Sequence, residues 1–201
     1  MLKKILRSAA GGLPFGRHDD GQGKDDRRLA MTYDEINMCL EGLTAGVPHQ
    51  TASLANAAAL LYQELPDVSW AGFYLAEEGT PTLAEGGIKD LPEEDRGRML
   101  VLGPFQGKTA CIEIPWGRGV CGTAAKTRRT QLVPDVFAFP GHIACDAASR
   151  SEIVVPLFDA RGEVSGVLDL DSARPARFTE TDAEGLEAFA RILEKEVFGR
   201  A

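Results

Sequence analysis

Apolar residues recur along the 201-residue chain at two spacings, and the spacing separates helices from strands. Tyr33, Ile36, Leu40 and Leu43 follow a helical period, and Thr32-Tyr-Asp-Glu35 ahead of them reads as a capping box, with Thr32 as cap and Glu35 reaching back. Cys39 lies at the edge of that stripe and reads as an inert core thiol. A second helix over 51–65 puts Leu54, Ala58, Leu61 and Leu65 on one face and stops at Pro66. Over 68–75 the period becomes two, so Trp70, Gly72 and Tyr74 share one strand face and Ala71, Phe73 and Leu75 the other. Short strands are expected at 99–102, 111–114, 130–133, 152–158 and 163–171, with turns at Gly103-Pro104 and Ala160-Arg161-Gly162. A short helix starts near Val120. The last helix opens with Thr179 as cap and Asp182 three residues on, and buries Leu186, Phe189, Ile192, Leu193 and Val197. Two helices, several strands and a helix make an α+β domain: one antiparallel sheet, terminal helices on one face, and a loop-covered pocket on the other.

Composition changes this picture at two places. Residues 1–30 are rich in Gly and carry +3, while the whole chain carries -8, so the remainder is strongly acidic. The apolar run Ile5-Leu6 is too short for a signal peptide, and 1–30 reads as a flexible extension of a domain spanning 31–201. The segment 77–98 holds seven acidic residues, four Gly and two Pro, and reads as a solvated insertion. Acidic balance argues against nucleic-acid and anionic-membrane partners, and no apolar run approaches a membrane span.

Candidate chemistry lies on the last strand and in the cysteines. On 163–171 the two-residue period sends Ser165, Val167, Asp169 and Asp171 one way and Val164, Gly166, Leu168 and Leu170 the other, toward the core. Periodicity alone favours a solvated polar face for the two aspartates. If loops cover that face, like charges repel and one carboxyl holds its proton. Four cysteines are too few for a disulfide scaffold, and no C-x-x-C pair exists. Cys111 opens a strand after GPFQGKTA. Cys121 sits in GRGVCG, in the first turn of a helix where backbone N–H groups favour a thiolate. Cys145 follows His142 in an irregular stretch. All three thiols stay open to either a reactive or a structural reading. His142 reads as a satisfied or exposed loop histidine, and Gly117-Arg-Gly119 as an ordinary turn that could hold an anion.

The strings SWAGFY, GPFQGKTACIEIPWGRGVCG, GHIACDAASRSEIVVP and GVLDLDS, in this order, closely resemble the free methionine-(R)-sulfoxide reductases, which are GAF-domain enzymes. The resemblance covers about residues 32–195 and is densest over 103–172. It implies a GAF-like α+β fold and thiol-dependent reduction of free L-methionine-(R)-sulfoxide to L-methionine. It implies Cys145 as the catalytic cysteine, Cys111 as the resolving partner and Cys121 as a third redox-active cysteine of unassigned pairing. Trp70 and Tyr74 match pocket residues, Trp70 against the substrate methyl group, and Glu152, Asp169 and Asp171 match the acidic substrate-binding set. No prosthetic group or metal is implied. A cysteine sulfenic acid would close to a disulfide, thioredoxin or another dithiol would reopen it, and the reducing cytoplasm is the fitting compartment. A homodimer is a plausible arrangement for GAF domains.

Two features depart from the resemblance: 77–98 stands where the family has a shorter connection, and 1–30 lies outside the match. Two other readings compete. One is a non-catalytic GAF module that binds a small amino compound or senses redox state through the same cysteines. The other is a metal-binding domain using Cys111, Cys121, Cys145 and His142, whose spacing is wrong for a standard zinc site.

Overall fold

The computed structural model describes residues 31–79 and 91–199. The extension 1–30 and the centre of the 77–98 segment lie outside the described residues.

Helix α1 (Tyr33–Thr44) begins at the expected capping box, with the Thr32 hydroxyl accepting from Glu35 N and the Glu35 carboxylate accepting from Thr32 N at 2.8 Å. Helix α2 (Gln50–Glu64) follows, one residue earlier than its pattern suggests. The chain then runs β1 (Trp70–Glu78), β2 (Arg98–Gln106), β3 (Glu113–Pro115), α3 (Gly119–Thr127), β4 (Gln131–Val133), β5 (Ser151–Phe158), β6 (Val164–Ser172) and α4 (Glu180–Leu193). The Thr179–Asp182 capping box opens α4 as its sequence implies. Six strands form one antiparallel sheet in the order β3-β2-β1-β6-β5-β4.

Period two in β1, β5 and β6 divides the sheet between two cores. Ala71, Phe73, Ile153, Val155, Leu157, Leu168 and Leu170 face α1, α2 and α4, where they meet Ile36, Leu40, Leu54, Leu61, Leu186, Phe189 and Leu193. Removing one such side chain from water contributes about 1.5–3 kcal/mol, so this layer carries most of the folding energy. Trp70, Tyr74, Val154 and Val167 face the other way. They form a smaller core with Leu100, Ile114, Trp116, Val120 and Ala124, to which α3 contributes its buried face. The pocket opens on this second side.

Several sequence expectations are corrected here. Gly103-Pro104 is not a turn but the interior of β2. Register runs from Gly72 opposite Phe105 to Tyr74 opposite Leu102, so Gly103 and Pro104 together face the single residue Phe73. A bulge is where a strand tolerates a proline, which has no N–H to donate. Val164 does not face the helices either. Leu157 pairs with Gly166 and Phe158 with Val164, so Ser165 is the extra residue and Val164 turns to the pocket-side core. Cys39 is half-buried at the edge of α1, not in the core. Cys111 does not open a strand, because β3 begins at Glu113 and the thiol belongs to the loop leading from β2. The ends of 77–98 are ordered parts of the fold: the β1–β2 ladder extends to Glu78 opposite Arg98, Leu91 and Asp95 are buried, and Asp95 pairs with Lys126 on α3.

Candidate active site

Three neighbouring strands build the pocket floor. Trp70 on β1 stands opposite Asp171 on β6, which stands opposite Glu152 on β5. The next row in register is Gly72, Asp169 and Val154. Aromatic, carboxylate and carboxylate therefore lie side by side on one face; the alternation on 163–171 by itself pairs only Asp169 with Asp171. Gly72 is required by close approach: a Cβ there would come within 2.6 Å of the Trp70 ring and 2.4 Å of Phe105 Cβ. Trp70 is stacked with Tyr74 at 5.9 Å and with Phe105 at 5.3 Å between centroids.

Glu152 is 6% exposed and Asp169 5%, and Asp171 is partly buried, so the solvated-face reading is overturned. None of the described residues lining the pocket is Lys or Arg. Burial first, then the charges of Asp169 and Asp171, pushes the Glu152 carboxyl well above its usual range. Burial and then Asp171 do the same to Asp169. Asp171 is raised to about 6 by burial, against a hydrogen bond with Ser149 that favours its ionised form. Asp169 Oδ1 is buried without a hydrogen-bond partner. Such an acceptor is costly unless a ligand supplies a donor. His142 Nε2 lies 3.7 Å from Glu152 Oε2, and burial lowers the imidazole pKa, so a neutral ring faces a carboxyl that favours its proton.

Helix α3 supplies the wall. Gly119 adopts φ +61°, and a Cβ there would press to 3.2 Å from Ile143, so glycine lets the Cys145 loop lie on the start of the helix. The N–H groups of the first turn have no intrahelical acceptors, and Gly119, Val120 and Cys121 of that turn line the pocket. Cys121 is in the first turn as expected, but it is not a favoured thiolate. Burial and the Asp169 and Glu152 charges push its thiol pKa up, outweighing the helix end, and its Sγ donates to Glu152 Oε1 at 3.8 Å.

Two loops close the mouth. Cys111 comes from the β2–β3 loop and Cys145 from the loop before β5, and a disulfide joins them with Cα atoms 5.4 Å apart. Trp70 Nε1 donates to the Lys108 carbonyl at 3.1 Å and Tyr74 Oη to the Cys111 carbonyl at 3.0 Å. The two aromatics expected to line the pocket thus also hold the Cys111 loop. While the disulfide stands, neither of its sulfurs can serve the competing metal-binding reading built on Cys111, Cys121, Cys145 and His142. A different donor set, Cys121, Glu152 and Asp169, brings one ligand atom each within 4.8 Å of one another. All three groups favour their protonated forms, so a cation there must displace protons.

The model of the GAF domain family matches residues 51–197. The free methionine-R-sulfoxide reductase of Escherichia coli (strain K12) is 48% identical over 163 residues, 81% of this chain and 87% of that protein. The chain belongs to the free methionine-R-sulfoxide reductase family. Another member, the free methionine-R-sulfoxide reductase of Saccharomyces cerevisiae (strain ATCC 204508 / S288c), is 42% identical over 166 residues, 81% of this chain and 83% of that one. The X-ray structure of the free methionine-R-sulfoxide reductase from Neisseria meningitidis in complex with its substrate superposes with a TM-score of 0.68 at 44% identity. It covers 82% of this chain and 87% of that chain.

Within this reductase fold, Trp70, Tyr74, Cys121, Cys145, Glu152, Asp169 and Asp171 all line one pocket, and Cys111 is bonded to Cys145 at its mouth. Sequence reasoning missed Thr109, Asp146 and Ser149, which also line the pocket; Lys108 stands outside the lining and pairs with Asp146. All of these stand in irregular loops, where no periodicity says which side chain turns inward.

Proposed function

We propose that this chain reduces free L-methionine-(R)-sulfoxide to L-methionine, with Cys145 as the attacking thiol and Cys111 as the resolving one. The observation that carries the reading is the Cys111–Cys145 disulfide set over a pocket of buried, cation-free carboxyls. Glu152, Asp169 and Asp171 form a site for an ammonium group, which a free amino acid has and a residue inside a polypeptide lacks. The first-turn N–H groups of α3 suit the substrate carboxylate. Trp70 offers a flat apolar wall for the methyl group.

The Cys145 thiolate attacks the sulfoxide sulfur, while a proton held by the acidic cluster passes to the departing oxygen. The protonated oxygen passes from the methionine sulfur to the Cys145 sulfur as the bond between the two sulfurs breaks, so methionine leaves with its sulfur reduced and Cys145 becomes a sulfenic acid, S–OH. The Cys111 thiol displaces that hydroxyl as water and forms the disulfide. A dithiol such as thioredoxin then reduces it by exchange, which assigns the cycle to a reducing compartment such as the cytoplasm. Cys121, with its raised pKa, is suited to hold a proton beside the bound substrate and to stand as the third thiol of the set while the other two are joined.

The test supplies free L-methionine-(R)-sulfoxide with dithiothreitol or a thioredoxin system and measures methionine. Turnover is expected with the free R epimer, with little from the S epimer or from peptide-bound sulfoxide. Robust turnover by a Cys145→Ser variant refutes the nucleophile assignment. Binding without methionine release refutes the enzyme reading and leaves a ligand-binding GAF module.

A further inference from the structure

Lys108 and Asp146 lie outside the acid cluster, yet each is close in sequence to one of the disulfide cysteines: Lys108 three residues before Cys111, Asp146 one residue after Cys145. Lys108 Nζ contacts Asp146 Oδ2 at 3.0 Å across the pocket mouth. Both partners are fixed from behind. Asp146 Oδ1 accepts from Ala148 N at 3.0 Å, which locks the carboxylate to the turn that follows Cys145. The Lys108 carbonyl is held by Trp70 Nε1 at 3.1 Å. The pair therefore ties two loops to each other, not two free side chains, and it lies beside the bond that those loops exist to make.

We propose that the Lys108–Asp146 ion pair is a positioning clasp for disulfide formation, acting on the resolving step and not on the attack on substrate. The proposal rests on the reading of Cys145 and Cys111 given above. In that step the S–O bond of the Cys145 sulfenic acid breaks and the Cys111–Cys145 S–S bond forms. Cys111 sulfur is oxidised, the sulfenyl sulfur of Cys145 is reduced, and the Cys111 thiol proton leaves with hydroxide as water. Before the bond exists, nothing covalent keeps the two loops together. The clasp raises the local concentration of Cys111 around the sulfenic acid. Lys108 is largely exposed and Asp146 partly so, which limits the effect of the pair to roughly two- to fivefold and makes it sensitive to salt.

The experiment is single-turnover kinetics on the full chain, reduced, desalted and mixed with one equivalent of free L-methionine-(R)-sulfoxide. Methionine release reports the first step. Loss of dimedone-reactive sulfenic acid, with loss of free thiol, reports closure. Lys108→Met is expected to close about threefold more slowly while releasing methionine at the rate of the parent. Lys108→Arg should restore the parent rate of closure, and Lys108→Glu should be slower than Lys108→Met. Raising ionic strength from 0.05 to 1 M should slow closure in the parent toward the Lys108→Met value and leave that variant unchanged, since the screening length falls to about 3 Å at 1 M. At equilibrium with dithiothreitol, the disulfide fraction of Lys108→Met should correspond to a stability about threefold lower than the parent's. Closure in Lys108→Met at the parent rate, or equal salt response in both, overturns the clasp. Absence of a methionine burst in the parent instead overturns the reductase reading itself.

Discussion

Replacing Asp171 by Asn separates what the acid cluster does for the fold from what it does for the ligand. Asp171 titrates at about 6 in the folded chain, against an ordinary value of 3.8, because burial disfavours its charge. The folded state therefore binds this proton more tightly than the unfolded state does. Stability contributed by the protonated form is complete below the unfolded pKa and is lost as pH rises from about 4 through about 6, staying flat above. The difference between 3.8 and about 6 corresponds to about 3 kcal/mol at neutral pH, an upper bound that relaxation will reduce. Asn keeps the shape and removes the charge. It also relieves Glu152 and Asp169, both of which are raised in part by Asp171. Asp171→Asn in the disulfide-bonded form should then equal the parent in stability at pH 4 and exceed it by about 1–3 kcal/mol at pH 8. The assay is urea unfolding across that range, with the disulfide verified intact at each pH. Substrate use should fall at least tenfold in the same variant, through KM, whereas Glu93→Gln on the short helical turn Glu93–Asp95 should leave it unchanged. A stability difference that does not grow with pH, or a variant less stable than the parent at pH 8, refutes the argument that uncompensated charge is stored in this pocket.

Other outcomes follow from single features. In the oxidised protein, iodoacetamide should modify half-buried Cys39 well before Cys121, which is buried and holds its proton; mass mapping showing Cys121 labelled as fast would contradict the burial of that thiol. Leu168→Ala, at a fully buried position between β6 and the helix layer, should cost about 2–5 kcal/mol by urea unfolding, and a loss under 1 kcal/mol would mean that the layer repacks freely. Methionine binding should release protons near pH 6, because a bound ammonium favours ionised carboxylates; calorimetry in two buffers of different ionisation enthalpy reads this, and proton uptake would be the wrong sign. Activity should survive chelator treatment, and its loss with recovery on added zinc would bring Cys121, Glu152 and Asp169 back as a metal site.

Most of the fold was legible because its elements carry strong local signals. Two capping boxes placed the starts of α1 and α4, and the alternation put Trp70 with Tyr74 on one face of β1 and Asp169 with Asp171 on one face of β6; the register between the strands brings the two pairs together. What escaped depends on partners remote in sequence. Gly103-Pro104 looks like a turn until Phe73 is opposite it, and Val164 faces the helices until Ser165 is displaced from the ladder. The local signal at Cys121, a helix N-terminus, is real. It is outweighed by burial and by two carboxylates, 31 and 48 residues further along the chain, that only folding brings to the thiol. The aspartate pair could be paired by periodicity but not covered by it, since the covering residues come from loops with no period.

The distribution of charge in the pocket bears on why a free amino acid would be selected. Three carboxyls share a covered site with no lysine or arginine among the described residues of its lining, and one carboxylate oxygen has no donor. Charges arranged for folding alone would be paired, because an isolated buried carboxylate is expensive. Here part of the expense is avoided by keeping protons on the cluster, and the rest can be offset only by a cation that arrives with the ligand. An α-ammonium answers that requirement, while the amide nitrogen of a residue within a chain brings no charge and leaves the carboxylates unneutralised. Discrimination against peptide-bound sulfoxide would thus arise from electrostatic need as well as from the narrow mouth bridged by Cys111 and Cys145. A bound ammonium makes any proton that remains on the cluster more acidic, so that binding of the charged end of the substrate would prepare the acid needed at its other end.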